Sequence, residues 1–223
     1  MRSCRSWRNR CARAAMATTC CSCWRCPLQA ERLLTTAGAA MQGPLLFTPR
    51  VFGDERGFFF ESWNGRRWAE LLEQDGQQAL PFVQDNHSRS TGGVLRGLHL
   101  QIPPQPQAKL VRCVAGEIFD VAVDLRSGSP SFGQWVAARL SADNHQQLWV
   151  PVGFAHGFLT LSEHAEVLYK TSDYWNRECE RALRWDDPSL GIDWPLDGLQ
   201  VQLSAKDAEA PVWPESKAEQ WFQ

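Results

Sequence analysis

Between residues 81 and 171 short apolar runs, many alternating with polar positions, recur at intervals too brief for helices. They predict strands over 82–88, 94–101, 109–114, 117–125, 135–140, 147–150, 157–161 and 166–171, separated by Gly, Pro, Asn and Ser. In 117–125, Ile118, Asp120, Ala122 and Asp124 fall on one face and Phe119, Val121, Val123 and Leu125 on the other. One face of that strand is thus apolar and one carries polar groups. Ala115-Gly116 reads as a two-residue hairpin turn. Upstream, residues 44–48 are short, apolar and bounded by proline, the pattern of an edge strand. A turn over Phe52-Gly-Asp-Glu-Arg-Gly57 then leads to a strand over 58–62. Helical periodicity is clear over 66–74, where Trp68, Leu71 and Leu72 share a face, Asn64 can cap the start and Gly76 the end. Ser204 can cap a short helix running to Ala210; elsewhere after Trp175 the pattern fades. Many short strands with no alternation of strand and helix predict an all-β sandwich or closed barrel with a few short helices.

The first 30 residues obey neither period, and no stable contribution to the core is expected from them. They hold six arginines and no acid, and six of the eight cysteines lie in the first 26 positions. No apolar run of secretory length follows the arginines. Cys23 and Cys26 have zinc-like spacing, but no second pair follows at the distance a finger needs. The expectation is an unstructured extension, or upstream sequence read in by a misplaced start, with Met16 and Met41 as alternative starts. Residues 41–223 show no repeat or low-complexity linker, and 31–223 read as one domain. The net charge of −2 gives no basic field for nucleic acid, and no run is long and apolar enough to span a membrane, so a cytoplasmic protein is expected.

Five histidines carry the candidate chemistry: His87, His99, His145, His156 and His164. His145 and His164 sit in polar surroundings and read as solvent-facing; His87 is ambiguous. His99 lies in Gly92-Gly-Val-Leu-Arg-Gly-Leu-His-Leu-Gln101, three residues after Arg96 on an apolar strand whose period of two aligns Gly97, His99 and Gln101. An imidazole turned into a pocket there can act as a base near neutral pH, or can be a core histidine bonded to a carbonyl. His156 follows Pro151 and Gly153 in a Pro-x-Gly-x-x-His spacing that resembles the second motif of the cupin superfamily. Metal-binding cupins pair that motif with His-x-His; here the counterpart is His99-Leu-Gln101, and a metal would lack its usual three protein ligands. A metal-dependent oxygenase is disfavoured on that count. Tyr169, on a strand, can serve as a general acid toward an enolate, and Lys109 can hold an enolate oxygen or be an ordinary strand-end lysine. Base, acid and cation together suit proton removal from one face of a carbon beside a ketone and return to the other.

Longer runs extend this reading. Phe52 to Ser62, Phe82 to Ser88, Val94 to His99, Lys109 to Cys113, Phe119 to Asp124, Pro151 to Phe158 and Leu203 to Asp207 resemble the dTDP-4-dehydrorhamnose 3,5-epimerase family over about residues 41–212. The resemblance implies a metal-independent cupin jelly roll, no cofactor, and a homodimer exchanging strands. The substrate would be dTDP-4-dehydro-6-deoxyglucose and the product dTDP-4-dehydro-6-deoxy-L-mannose. It implies His99 as catalytic base, Asp207 as its orienting carboxylate, Tyr169 as acid and Lys109 beside the C4 oxygen. Arg56, Glu61, Gln84, Asp85, Asn86, Arg96, His156, Glu180 and Lys206 fall on substrate contacts. Trp175 falls where the family stacks an aromatic, usually Tyr, on thymine. Rival readings are a relative that inverts C3 alone or moves the ketone, and a non-catalytic cupin that binds sugar nucleotides.

Overall fold

The structure is a computed structural model and describes residues 28–213 and 220–222. The chain runs through β1 (Leu28–Leu34), β2 (Ala40–Pro49), β3 (Phe52–Asp54), β4 (Gly57–Phe59), α1 (Gly65–Gln74), β5 (Gln84–Thr91), β6 (Leu95–Gln101) and β7 (Lys109–Ala115). It continues through β8 (Glu117–Asp124), β9 (Trp135–Ser141), β10 (Gln147–Val150), β11 (Phe154–Thr160), β12 (His164–Thr171), β13 (Glu180–Ala182) and α2 (Ala205–Ala208). Two antiparallel sheets result, one ordered β1-β2-β10-β7-β12-β5 and the other β13-β6-β11-β8-β9, with β3 and β4 as a separate hairpin. This is an all-β sandwich, as the strand pattern and the turn chemistry anticipated, in the jelly-roll form that the family resemblance implied.

The sheets pack face to face over a core that includes Leu46, Val111, Ile118, Leu140, Leu148 and Phe158. Each such side chain contributes about 1.5–3 kcal/mol when fully buried. Both outer faces are covered as well. Trp68 and Leu72 of α1 lie on the six-stranded sheet against Leu45, Phe47, Leu110 and Trp149. Leu183, Leu190 and Trp194, from the segment after β13, cover Leu98, Val121 and Val123 on the five-stranded sheet. Helix α1 has the expected cap: Arg67 N–H donates to Asn64 Oδ1 at 3.1 Å.

Several local expectations are revised. Residues 44–48 do not form an edge: β2 lies between β1 and β10. Its cover comes from β1, which begins at Leu28, inside the stretch expected to stay out of the core. The expected features of residues 1–27, including the cysteine cluster, lie outside the described residues. Ala115-Gly116 does not close a hairpin, because β7 and β8 belong to different sheets. Gly116 has φ 71°, and a Cβ there would meet His164 O at 2.0 Å, so the glycine carries the chain between sheets through a gap with no room for a side chain. Asp120 and Asp124 are buried, because the jelly roll covers both faces of β8. His145 lies beside the rings of Phe58 and Phe60 rather than standing alone in solvent. Strand β13 had no sequence signal; pairing with β6 defines it.

Candidate active site

The site forms where β6 and β11 approach each other. Their register sets His99 opposite His156 and Arg96 opposite Phe158, so three residues of β6 span two of β11. Strict alternation would send Arg96 and His99 to opposite faces. The bulge reverses this: His156 and Phe158 share a face of β11, so their partners His99 and Arg96 share one too. Gly97 makes the bulge possible, with φ 124° and its hypothetical Cβ 2.5 Å from the Gly157 Cα. The two strands touch backbone to backbone at Gly97 and Gly157.

His99 is oriented from the far end of the chain. Leu95 N–H donates to Gln202 O and Gln202 N–H to Gly93 O, which fastens the C-terminal segment beside β6. Ser204 then caps α2, and the second turn of hydrogen bonding fixes Asp207: its N–H donates to Ser204 Oγ at 3.1 Å, and the Ser204 hydroxyl donates to Asp207 Oδ2 at 2.8 Å. Asp207 Oδ1 lies 2.5 Å from His99 Nε2. Burial would raise the Asp207 carboxyl, but hydrogen bonds from His99 and Ser204 outweigh it and hold the group below the usual carboxylate range. With Nε2 engaged by a carboxylate, Nδ1 is the ring nitrogen left to accept a proton.

Around this pair stand two more elements of charge. Lys109 is buried at the start of β7, and its Nζ donates to the His99 carbonyl at 3.3 Å. Burial pushes its ammonium down to about 8, against the opposing pull of Asp120 and Glu180. His156 Nε2 lies 2.7 Å from Asp120 Oδ1; burial lowers the imidazole further than Asp120 can raise it. Glu180 Oε1 accepts from Lys206 Nζ at 2.6 Å. On the opposite sheet Tyr169 pairs with Val111 and Asn86, so its side chain enters the interior on the Lys109 face of β7. Burial raises the phenol while Arg96 pulls it down and Glu180 adds to the rise. Arg96 spans the two sheets, its Nε donating to Ser90 Oγ at 3.0 Å.

Gln84 and Asn86 turn inward with Tyr169, and Gln84 Oε1 accepts from the Trp175 N–H at 3.1 Å. Trp175 is 57% exposed on the loop after β12. Gln101 sets that loop: its amide donates to Tyr174 O at 3.2 Å, and its Oε1 accepts from Asn176 N–H at 2.7 Å. Among the described residues, no group of three or more His, Cys, Asp or Glu is arranged to hold a metal ion.

Residues 38–215 match the family model described as dTDP-4-dehydrorhamnose 3,5-epimerase. The chain belongs to the dTDP-4-dehydrorhamnose 3,5-epimerase family. It is accordingly an isomerase with the family's cupin-like fold. It is 58% identical to the dTDP-4-dehydrorhamnose 3,5-epimerase of Pseudomonas aeruginosa over 177 residues, which cover 79% of this chain and 94% of that one. The crystal structure of the Legionella pneumophila epimerase in complex with dTDP-4-keto-L-rhamnose is 50% identical, covers 82% of this chain and 93% of its own, and superposes with a TM-score of 0.74. A 3'-monoepimerase from Streptomyces bikiniensis, solved with dTDP-quinovose, is 34% identical, with a TM-score of 0.69 and coverage of 76% and 83%.

In this epimerase-family chain three expected contact residues stand apart from the rest. Asp85 lies on the outer face of β5, because alternation separates it from Gln84 and Asn86; it accepts from Lys170 Nζ at 2.8 Å. Arg56, with its side chain 85% exposed, sits on the β3–β4 hairpin and pairs with Asp54. Glu61 lines a small pocket with Phe47, Trp68 and Leu110 on the outer face of the six-stranded sheet, across that sheet from His99. Sequence reasoning gave no role to Asp120 or Gln101. The available signal was a polar residue on a strand with apolar neighbours: Asp120 between Phe119 and Val121, Gln101 between Leu100 and Ile102.

Proposed function

We propose that the chain inverts C3 and C5 of dTDP-4-dehydro-6-deoxyglucose to give dTDP-4-dehydro-6-deoxy-L-mannose. The observation that carries this is the buried carboxylate of Asp207 on His99, with the Lys109 ammonium donating to the His99 carbonyl. His99 Nδ1 removes the proton from a carbon next to the C4 ketone. The electron pair moves onto the C4 oxygen, where Lys109 offsets the charge. The Tyr169 phenol, kept protonated by burial, returns a proton to the other face of the carbon; it is then recharged from solvent, and His99 gives up to solvent the proton it took. The C4 ketone acidifies both C3–H and C5–H, so one base serves both positions in turn. Arg96 and Lys206 offer charge to the diphosphate, and Trp175 a stacking surface for thymine. His156, Glu180, Gln84 and Asn86 complete the sugar contacts.

Arg56 and Glu61 fit this scheme only in a homodimer. Glu61 lies across the sheet from its own His99 and Arg56 stands on an exposed hairpin outside both main sheets, so both would serve the pocket of a second copy. Exposed Phe58 and Phe59, the latter at 70%, give that hairpin an apolar surface to bury. Asp85 has no contact role in a single chain.

The kinship with a 3'-monoepimerase makes C3-only inversion the second reading. Incubation with the 4-keto sugar nucleotide in D₂O, followed by NMR, separates the two. Deuterium entering at both C3 and C5, with loss of both in His99→Ala, is the expected result. Exchange at C3 alone selects the second reading, and exchange at neither removes both. Tyr169→Phe should impair inversion at C5 while sparing part of the C3 exchange.

A further inference from the structure

Strand β8 buries two carboxylates on the same face, and they are treated differently. Asp124 accepts from the backbone N–H, Nε and a terminal guanidinium nitrogen of Arg126, and from the hydroxyls of Ser129 and Ser131. Both its oxygens are occupied, as a purely structural acid requires. Asp120 is equally buried, but only Oδ1 is engaged, by His156. Among the described residues its Oδ2 has no hydrogen-bond donor. A buried acceptor left open is costly, so it persists where the charge itself has a use.

The use lies next to it. Lys109 faces Asp120 from β8, Glu180 from β13, Lys206 from α2, His156 from β11 and His99 from β6. Of the two anions acting on it, Asp120 acts more strongly and Glu180 less, while Lys206 opposes both. Glu180 is already engaged by Lys206. We propose that Asp120 is a positioning residue of this site: Oδ1 fixes the His156 ring, and the open oxygen supplies the negative charge that keeps Lys109 a cation. This rests on the epimerase reading, in which an uncharged Lys109 could not offset an enolate. It explains how an ammonium pushed toward neutrality by burial stays charged at neutral pH when, among the described residues, no carboxylate hydrogen-bonds to it.

The test uses the chain's four lysines, Lys109, Lys170, Lys206 and Lys217, which make a ¹³Cε-lysine NMR titration readable. Asp120→Asn keeps a polar atom against His156 while removing the charge. The expected result is a Lys109 titration moved to lower pH by about one unit or more, the scale of one neighbouring charge. The alkaline limb of kcat should follow it, giving about a fivefold loss at pH 8 from the fraction of Lys109 still protonated. KM should change little, and Glu180→Gln should move the Lys109 titration less. An unchanged Lys109 titration in Asp120→Asn overturns the proposal. If that variant does not fold, the wild-type protein decides: the Asp120 carboxyl ¹³C signal must move as Lys109 titrates near pH 8, and a flat signal overturns the proposal. These titrations need no substrate. A protein that exchanges C3 and C5 normally but leaves Lys109 indifferent to Asp120 thus fails this inference alone. Failure of exchange with coupled titrations intact fails the epimerase reading.

Discussion

Gly157→Ala tests whether the backbone contact between β6 and β11 sets the geometry of the site. A Cβ on residue 157 would stand 2.7 Å from Arg96 O, and 3.1 Å from both Gly97 Cα and Leu98 Cδ2. A relaxed carbon–oxygen contact lies at about 3.3–3.6 Å, so the strands must separate by roughly 0.6–0.9 Å. Two of the three obstructing atoms are backbone, so rotating a side chain cannot relieve the clash. Overpacking of this kind costs about 1–3 kcal/mol, measurable as a lower urea midpoint at unchanged slope. The functional effect should be larger than the stability loss suggests. His99 and Arg96 are aligned by the bulge that this contact permits, and a misplacement near 1 Å can cost about a hundredfold in rate. The assay is the rate of deuterium entry at C3 and C5 under conditions where the variant remains folded, alongside urea unfolding. Wild-type exchange rates in a variant that has lost stability would refute the link between the contact and the site. A wild-type midpoint would refute the steric argument itself.

Two further outcomes follow from the charged networks. Ser204→Ala removes both the cap of α2 and a donor to Asp207, and should cost about 0.5–2 kcal/mol; Ser204→Thr should restore midpoint and exchange rate together, and an alanine variant with full exchange would show that Asp207 needs no such support. At Asp124, burial would raise the carboxyl, but Arg126, Ser129 and Ser131 hold it below its ordinary 3.8. Its folded value is thus lower than its unfolded one, so its contribution is complete above about pH 4 and is lost as pH falls through the folded value. Asp124→Asn should be less stable at pH 7 but lose less between pH 4 and pH 3, with Asp207 supplying part of the remaining slope; urea midpoints across that range check it, and a slope equal to wild type would exclude Asp124 as a source.

The strand order along the chain, helix α1 with its Asn64 cap and the Ser204 cap were legible because each depends on neighbours a few positions away. Family motifs carried the likeness of His99, Tyr169, Lys109 and Asp207 to an epimerase site. The errors share one cause. Burial of residues 44–48 depended on β1 pairing with them, β13 depended on β6, and Ala115-Gly116 formed a crossing because its flanking strands found partners in different sheets. No local pattern contains that information.

The same division runs through the site. Alternation and motif spacing, both local, determined that these residue types would stand on short strands of an all-β fold. Tertiary pairing decided which of them meet. The bulge at Gly97 turns Arg96 to the side of His99, the Gln202 tie delivers Asp207 across 108 positions of sequence, sheet sidedness separates Asp85 and Glu61 from the others, and the separate β3–β4 hairpin holds Arg56 apart. A strand's two faces are fixed by its own backbone, but which face looks inward, and at what register, is set by strands far away in the chain.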